Sequence, residues 1–302
     1  MFTQLESGFG LDVVVWLQAH GNPVFDLLAK ILHSVGGNLS YLLILPLIYW
    51  SLDRQLGRRT FIVLIAILAA AAAVKLAVQA PRPDQVFPGQ VTSLVEQDGY
   101  GLPSAHVAIA IAVWGFLLAR LKRPRLWWAL AVYVVVLGWS RMYAGVHYPQ
   151  DVLAGGIVGL VVLWLCLGYI GAVARLWHSL KWTAQLAAVF LLGLVIVAFL
   201  FESEEGQMAA GLIFGGGLGA MLEERFVKFS AGGDTRHRIL RYVTGIVFVG
   251  GVFFGLRLLF ADLEPGYLFR IIRYSLVALF AFAAWPWLFM RLGLARPGKD
   301  IS

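Results

Sequence analysis

The chain has 302 residues, of which 60% are hydrophobic and 14% charged, with a formal net charge of +7. Soluble globular domains are about 45–50% apolar and about 25% charged, so this composition excludes a soluble enzyme, a disordered chain and a nucleic-acid-binding domain. The mean hydropathy of +0.79 and the pI of about 9.7 fit a membrane protein whose basic residues lie between apolar segments. The single cysteine, Cys166, excludes an intramolecular disulfide and a cysteine-based metal site.

Residues 1–35 are predicted to form two interfacial helices ahead of the first membrane span. The apolar stretches 11–18 and 24–33 are each too short to cross a membrane, and helix-breaking residues at 21–23 separate them. No basic stretch followed by a small-residue cleavage site precedes them, so the sequence does not predict a signal peptide.

Nine later segments are long and apolar enough to cross about 30 Å of hydrocarbon as helices. They are 36–52, 60–80, 103–120, 127–145, 150–173, 183–201, 207–222, 239–260 and 267–290. Their apolar runs are continuous, whereas the strands of a membrane β-barrel alternate in polarity over about ten residues. The sequence therefore predicts an all-α polytopic membrane protein.

The connections between the predicted spans fall into two chemical classes. Most of the 24 Lys and Arg residues lie on alternate ends of consecutive spans. They are Arg54, Arg58, Arg59, Arg120, Lys122, Arg123, Arg125, Arg175, Lys181, Arg225, Lys228, Arg236, Arg238, Arg241, Arg291, Arg296 and Lys299. The positive-inside rule makes this face cytoplasmic and leaves the connections at 81–102 and 141–151 on the other side. We therefore expect a protein of the cytoplasmic (inner) membrane whose chemistry takes place outside the cytosol.

Ionisable residues at membrane depth are costly and indicate function, and three clusters of them lie on the extracytoplasmic side. Lys75 lies in an otherwise apolar span, and Arg82 follows it by about two helical turns. If the helix continues that far, both side chains share one face. Ser104 and His106 begin the third span, where free backbone N–H groups at a helix start bind anions.

The third cluster joins the fourth and fifth spans. Arg141 ends one span, and His147 and Asp151 lie four residues apart at the start of the next. In this arrangement Asp151 can accept a hydrogen bond from one ring nitrogen of His147 and leave the other nitrogen free to attack. Two histidines, a carboxylate, three cations and a helix N-terminus together indicate a phosphoryl-transfer site without a metal.

The three clusters resemble the three-part signature of the type 2 phosphatidic acid phosphatase superfamily, which includes bacterial lipid phosphate and polyprenyl pyrophosphate phosphatases. The matching residues are Lys75 with Arg82-Pro83, then Pro103-Ser104-Ala105-His106, then Ser140-Arg141 with His147 and Asp151. The resemblance covers roughly residues 10–172. It implies a six-helix phosphatase core, here assigned to residues 36–174, and a four-span extension over 175–302. Ala105 departs from the glycine that is usual in the second motif.

Carried over residue by residue, the resemblance implies that His147 attacks phosphorus and forms a phosphohistidine while Asp151 orients it. His106 would protonate the leaving oxygen and then activate water. The phosphoryl oxygens would be bound by Lys75, Arg82, Ser104 and Arg141. No metal or other cofactor is implied.

The expected function is hydrolysis of a phosphomonoester or pyrophosphate of an amphiphilic lipid that enters from the bilayer. The candidate substrates are undecaprenyl pyrophosphate, phosphatidic acid and phosphatidylglycerophosphate, and the motifs do not distinguish them because they bind only the phosphoryl group. Two alternatives stay open. One is a lipid phosphotransferase that uses the same histidine, and the other is a non-catalytic lipid transporter or scramblase, which would explain the additional spans.

Several residues outside the motifs are also notable. Candidates for a second anion site at the extracytoplasmic ends of the last two spans are Arg257, Arg270 and Arg273, although snorkelling to the interface explains them as well. Histidines without a partner pattern, expected in interfacial or loop positions, are His20, His33, His178 and His237. Glycines clustered at 211–219 predict close helix packing, either within the chain or in a homo-oligomer.

Overall fold

The protein is built almost entirely from helices. The computed structural model describes the backbone of residues 6–298, and the side chains in that range except those of residues 6, 7, 38 and 39. Residues 1–5 of the predicted N-terminal segment and 299–302 of the predicted extension, Lys299 among them, lie outside the described residues. Residues 6–298 contain no β-strand, only an isolated antiparallel bridge between Phe229 and Pro297. The prediction of an all-α polytopic membrane protein is confirmed.

We number the helices in chain order. They are α1 Leu11–Ala19, α2 Pro23–Gly36, α3 Asn38–Pro46, α4 Arg54–Val78, α5 Pro83–Val86, α6 Ala105–Leu121, α7 Leu126–Tyr143, α8 Pro149–Ser179, α9 Trp182–Leu200, α10 Glu204–Gly211, α11 Thr235–Leu259 and α12 Gly266–Arg291. A π-helical turn, Glu6–Gly10, precedes α1, and another, Leu47–Leu52, follows α3. Three short helical segments continue α10, namely Leu212–Gly217, Leu218–Leu222 and Glu223–Val227.

Six of the nine predicted spans coincide with helices that are long and apolar enough to cross a membrane. They are α4 (with α5), α7, α8, α9, α11 and α12. The chain is therefore a multi-pass membrane protein. The predicted span 103–120 forms α6, which at about 1.5 Å per residue is about 25 Å long, short of about 30 Å of hydrocarbon. Segment 207–222 lies in α10 and its continuation, where glycines lower the hydropathy.

The N-terminal segment forms two helices on either side of the predicted break. Asn22 caps α2 by accepting hydrogen bonds from the backbone N–H groups of Val24 and Phe25, both at 3.0 Å, and Pro23 occupies the first helical position. α2 runs on to Gly36, and with Ser40–Leu52 it is long enough to form one broken span with a 44° bend. The sequence does not predict this bent span, because the apolar stretch 24–33 is too short to cross a membrane on its own.

The chain divides into two compact units whose segments alternate along the sequence. Unit 1 contains the chain up to Tyr41 together with Ala66–Gly168, and unit 2 contains Leu42–Ile65 together with the chain from Tyr169 onward. The domains predicted from the sequence, 1–35, 36–174 and 175–302, are continuous segments, and that division stays a prediction. In unit 2, the indole N–H of Trp50 donates to the carbonyl oxygen of Ala281 at 2.9 Å, which ties the early segment to α12.

Candidate active site

Seven side chains that the sequence assigns to chemistry are buried in unit 1, and none is more than 8% exposed. They are Lys75, Arg82, Ser104, His106, Arg141, His147 and Asp151. Charged side chains are almost never fully buried unless they are paired. So many ionisable groups in one interior therefore define a candidate active site.

Lys75 and Arg82 reach the site by different routes. Lys75 lies in the last turn of α4, which ends at Val78, and Gln79 then takes a left-handed φ of 53°. Arg82 follows in extended backbone directly before α5. The two residues therefore do not share one helix face, because the chain turns between them.

Arg82 is fully buried and is surrounded by hydrogen-bond acceptors. Its Nε and Nη2 atoms donate to the carbonyl oxygens of residues 98–100 at 2.9–3.1 Å. Its Nη1 donates to the carbonyl oxygen of Val146 at 2.9 Å and lies 3.3 Å from Nε2 of His147. A guanidinium has five N–H donors, so these contacts engage all of them. Arg82 thus shapes the loop and holds His147, in addition to supplying positive charge.

His147 and Asp151 face each other at the start of α8. Nδ1 of His147 lies 3.3 Å from Oδ2 of Asp151, and the same oxygen accepts the backbone N–H of Tyr148 at 2.9 Å. Because Nδ1 faces a carboxylate, it carries the ring proton. Nε2 therefore presents its lone pair on the opposite side of the ring, toward Arg82.

Close backbone approaches permitted by glycine hold these elements together. Gly145, between α7 and α8, has a φ of 76°, and a Cβ there would lie 2.5 Å from the carbonyl oxygen of Thr92. Only glycine fits such a turn. On α8, a Cβ at Gly155 would lie 2.5 Å from the carbonyl oxygen of Ser104. The missing side chain lets α8 contact the start of α6 directly.

Three buried polar atoms at the site make no hydrogen bond with the described part of the chain. They are Oγ of Ser104, Nε2 of His106 and Nε of Arg141. Ser104 occupies the N-cap position of α6, yet its hydroxyl does not cap the helix. Buried polar atoms in proteins nearly always have a partner, so these atoms indicate where a polar ligand binds.

The surroundings of His147, which lies outside the membrane-spanning segments, are strongly positive. Burial lowers the pKa of His147 well below its ordinary value of 6.5, and the charges of Arg82, Arg141 and Lys75 lower it further. Its imidazole is therefore neutral at pH 7. Within residues 6–298, no three His, Cys, Asp or Glu side chains are arranged to hold a metal ion. The side-chain cations around His147 can neutralise an anionic ligand.

His33, which the sequence predicts in an interfacial or loop position without a recognisable partner pattern, also lies at this site. His33 lies in the last turn of α2, and its Nδ1 is 2.8 Å from Nη1 of Arg141. Its ring stacks on that of His106, with 5.3 Å between the ring centroids. An ionisable residue in a largely apolar helix was the available signal.

Two glutamines were missed as well. Oε1 of Gln97 accepts a hydrogen bond from Nη2 of Arg141 at 2.6 Å. Gln18, at the end of α1, donates to the carbonyl oxygens of Thr92 and Tyr143 at 2.7 and 2.9 Å and accepts the N–H of Thr92 at 3.0 Å. No local pattern distinguishes such glutamines from solvated ones.

Two of the three arginines near the ends of the last two spans have partners within unit 2. Arg270 forms an ion pair with Glu204, and the guanidinium of Arg273 lies 5.4 Å from the ring centroid of Phe253. Both cations are thereby engaged within the protein. The second anion site suggested for Arg257, Arg270 and Arg273 stays a prediction.

Comparison with known proteins identifies the family. Residues 58–175 match the PAP2 superfamily, and residues 207–297 match "PAP2 superfamily phosphatase, transmembrane extension". The chain therefore belongs to the PAP2 superfamily. The resemblance drawn from the three motifs is confirmed.

Individual relatives match part of the chain. "Probable sphingosine-1-phosphate phosphatase" of Dictyostelium discoideum is 29% identical over 164 residues, covering 50% of this chain and 40% of that protein. "Lipid phosphate phosphatase delta" of Arabidopsis thaliana is 27% identical over 172 residues, covering 52% and 41%. The crystal structure of Aquifex aeolicus LpxE aligns with a TM-score of 0.48 at 20% identity, covering 54% of this chain and 96% of that one. The match thus spans about two fifths of the length of the Dictyostelium and Arabidopsis proteins.

Proposed function

We propose that this chain is a membrane-embedded lipid phosphatase that hydrolyses a phosphomonoester or pyrophosphate of an amphiphilic lipid. The proposal rests on the buried site of unit 1. There, a neutral histidine facing a carboxylate lies among three cations. Three buried polar atoms of the site, one of them Nε of the cation Arg141, make no hydrogen bond with the described residues. The family membership supports phosphate ester chemistry at this site.

The first step uses Nε2 of His147 as the nucleophile. Its lone pair forms a bond to phosphorus while the bond from phosphorus to the leaving oxygen breaks, which gives a phosphohistidine. Asp151, 3.3 Å from Nδ1, stabilises the positive charge that then develops on the ring. Nη1 of Arg82, released from Nε2 during the attack, can donate to a phosphoryl oxygen instead.

His106 is the proposed general acid and base. It gives a proton to the leaving lipid oxygen, and the negative charge of the bound substrate favours the protonated ring that this step needs. In the second step it takes a proton from water, whose oxygen bonds to phosphorus as the bond from phosphorus to Nε2 breaks. Phosphate leaves and both histidines return to their starting state.

We further propose that the site faces the extracytoplasmic side of the cytoplasmic membrane. His106 lies at the start of α6 and Arg120 at its end, about 20 Å apart along the helix axis. Arg125 precedes α7, and Arg141 lies in its last turn. The connection between α6 and α7 is therefore the basic end of both helices, and basic connections face the cytoplasm.

Undecaprenyl pyrophosphate is the substrate we favour, because an outward-facing site meets this lipid where its use as a carrier leaves it. Phosphatidic acid and phosphatidylglycerophosphate are the other candidates. The names of the two relatives add sphingosine 1-phosphate and lipid phosphates to the panel.

The test is phosphate release by detergent-purified protein from these lipids and from a soluble phosphomonoester, with EDTA present. His147→Ala is run beside the wild type, and His178→Ala, an exposed histidine of unit 2, is the matched control. We expect EDTA-resistant release that His147→Ala abolishes and His178→Ala leaves unchanged. Release that survives His147→Ala would overturn the proposal. Labelled phosphate found on a lipid or sugar hydroxyl and not in solution would establish a phosphotransferase instead.

A further inference from the structure

We infer that His33 is a positioning residue of this site, which holds Arg141 in the orientation that binds a phosphoryl oxygen and packs against His106. The inference rests on the proposed function. His33 precedes the matched region, residues 58–175, so membership of the family assigns it no role. It would make α2 part of the active site.

The contact between His33 and Arg141 has a defined direction. A guanidinium is always protonated and only donates hydrogen bonds. Nδ1 of His33, 2.8 Å from Nη1 of Arg141, must therefore be the acceptor, and the proton of a neutral His33 is on Nε2. A hydrogen bond with a charged donor is roughly twice as strong as a neutral one, so this contact orients both side chains.

Two acceptors together fix the plane of the Arg141 guanidinium. Nη1 is held by His33 from α2, and Nη2 is held by Oε1 of Gln97 at 2.6 Å from the loop. Nε is buried without a hydrogen bond to any described residue. The edge of the guanidinium that carries Nε is thus left for a ligand, and an arginine edge matches the paired oxygens of a phosphate.

The second contact of His33 is with the proposed general acid. The rings of His33 and His106 stack with 29° between their planes. Gly36, near the end of α2, also lies against this ring, since a Cβ there would be 3.3 Å from Cδ2 of His106. α2 thus covers one face of a ring that has to transfer protons, which restricts both its rotation and its access to water.

Two substitutions separate these contacts. His33→Phe keeps a ring for His106 but removes the acceptor for Arg141, whereas His33→Asn keeps an acceptor near the position of Nδ1 but removes the ring. His20→Phe is the matched control, because His20 is exposed and its ring contacts Trp16 of α1.

The measurements are the dissociation constant of inorganic phosphate, by calorimetry on purified protein, and kcat and KM for the preferred lipid. We expect His33→Phe to weaken phosphate binding by about 10-fold or more, as for loss of a hydrogen bond to a charged group. His33→Asn should keep phosphate binding within about 3-fold and lower kcat instead, since only the ring against His106 is lost. Unfolding midpoints check that all variants are folded.

A double substitution tests whether His33 acts through Arg141. In an Arg141→Lys background, His33→Phe should cause no further loss of phosphate affinity, because coupled residues are not additive. Full additivity, or wild-type phosphate affinity in His33→Phe, would overturn the inference. Wild-type protein that binds phosphate but releases none from any lipid would overturn the proposed function alone, and protein that binds no phosphate would overturn both.

Discussion

Nη1 of Arg82 lies 3.3 Å from Nε2 of His147, and it also donates a hydrogen bond to the carbonyl oxygen of the preceding residue, Val146, at 2.9 Å. The other nitrogens of the same guanidinium hold residues 98–100. The Arg82 side chain therefore positions the backbone before His147, the Nε2 atom of His147 and the loop at residues 98–100.

Arg82→Lys should lower activity even though it keeps the positive charge, because it loses the hydrogen-bond geometry of the guanidinium. An ammonium has three donors and no planar fork, so it cannot serve both residues 98–100 and the backbone before His147. We expect kcat/KM to fall by about 100-fold or more, the scale seen when a preorganised donor is removed. Arg125→Lys is the control and should retain activity, because Arg125 is exposed and directly precedes α7, outside the candidate site. Near-normal turnover by Arg82→Lys would show that charge alone is sufficient.

The pH dependence follows from the lowered pKa of His147. In the proposed mechanism the neutral imidazole is the nucleophile, so kcat/KM should stay high as the pH falls below 6.5 and decline only when the pH passes through the lowered pKa. Lys75→Met removes one of the positive charges that lower this pKa, and it should move the acidic limb to higher pH. The pH profiles of the wild type and of Lys75→Met are measured on the same substrate, so titration of the substrate affects both profiles equally. Lys122→Met, at an exposed position, should leave the limb unmoved, and an equal shift in both variants would contradict the assignment.

The contact between α8 and the start of α6 can be tested with two adjacent glycines. A Cβ at Gly155 would meet the carbonyl oxygen of Ser104 at 2.5 Å, whereas one at Gly156 would meet only a side-chain atom of Ile111 at 3.9 Å. Gly155→Ala should therefore displace the start of α6 and lower kcat/KM by about 10-fold or more, since misplacement by about 1 Å is costly in catalysis. Gly156→Ala should be close to wild type. Equal activity in the two variants would argue against close packing at Ser104.

Unit 2 contains a buried cluster of ionic side chains, and we expect this cluster to contribute to the free energy of unfolding. The carboxylate of Glu223 is fully buried, pairs with Arg54 at 3.0 Å and with Arg58, and accepts the backbone N–H of Phe229 at 3.2 Å. Glu223→Ala leaves two arginines without their shared partner, and loss of one member of a buried pair costs about 3–5 kcal/mol.

The readout is the thermal unfolding midpoint in detergent, followed by circular dichroism. Glu224→Ala is the matched control, because Glu224 is 39% exposed and lies 3.4 Å from Arg58. It should change the free energy of unfolding by about 1 kcal/mol or less. A smaller effect for Glu223→Ala than for Glu224→Ala would contradict the role of the cluster.

The parts of this protein that could be predicted from sequence are those fixed by local chemistry. Spans such as α4 and α8 are continuous apolar runs, so hydropathy alone locates them. His147 and Asp151 are recognisable because side chains four residues apart at a helix start can contact each other. Their spacing is therefore visible in the chain itself.

The remaining features depend on contacts between distant segments. His33 lies 108 residues from Arg141 and Gln18 lies 74 residues from Thr92, so no periodic pattern connects them. The route from Lys75 to Arg82 depends on the φ of Gln79, a non-glycine residue in a conformation that composition does not predict. The condition for a shared helix face, a helix that continues as far as Arg82, is therefore not met.

The alternating order of the two units has a consequence for biosynthesis. Trp50 and its acceptor, the carbonyl oxygen of Ala281, are separated by 231 residues. At about 5–20 residues per second, a ribosome completes that stretch in roughly 10 to 50 s. Once Asp151 has been added, the nascent protein contains every side chain of the proposed catalytic machinery, while Trp50 still lacks its acceptor in α12. Translation that stops before α12 would therefore give a molecule that has all of the proposed catalytic residues and lacks the last long helix of unit 2.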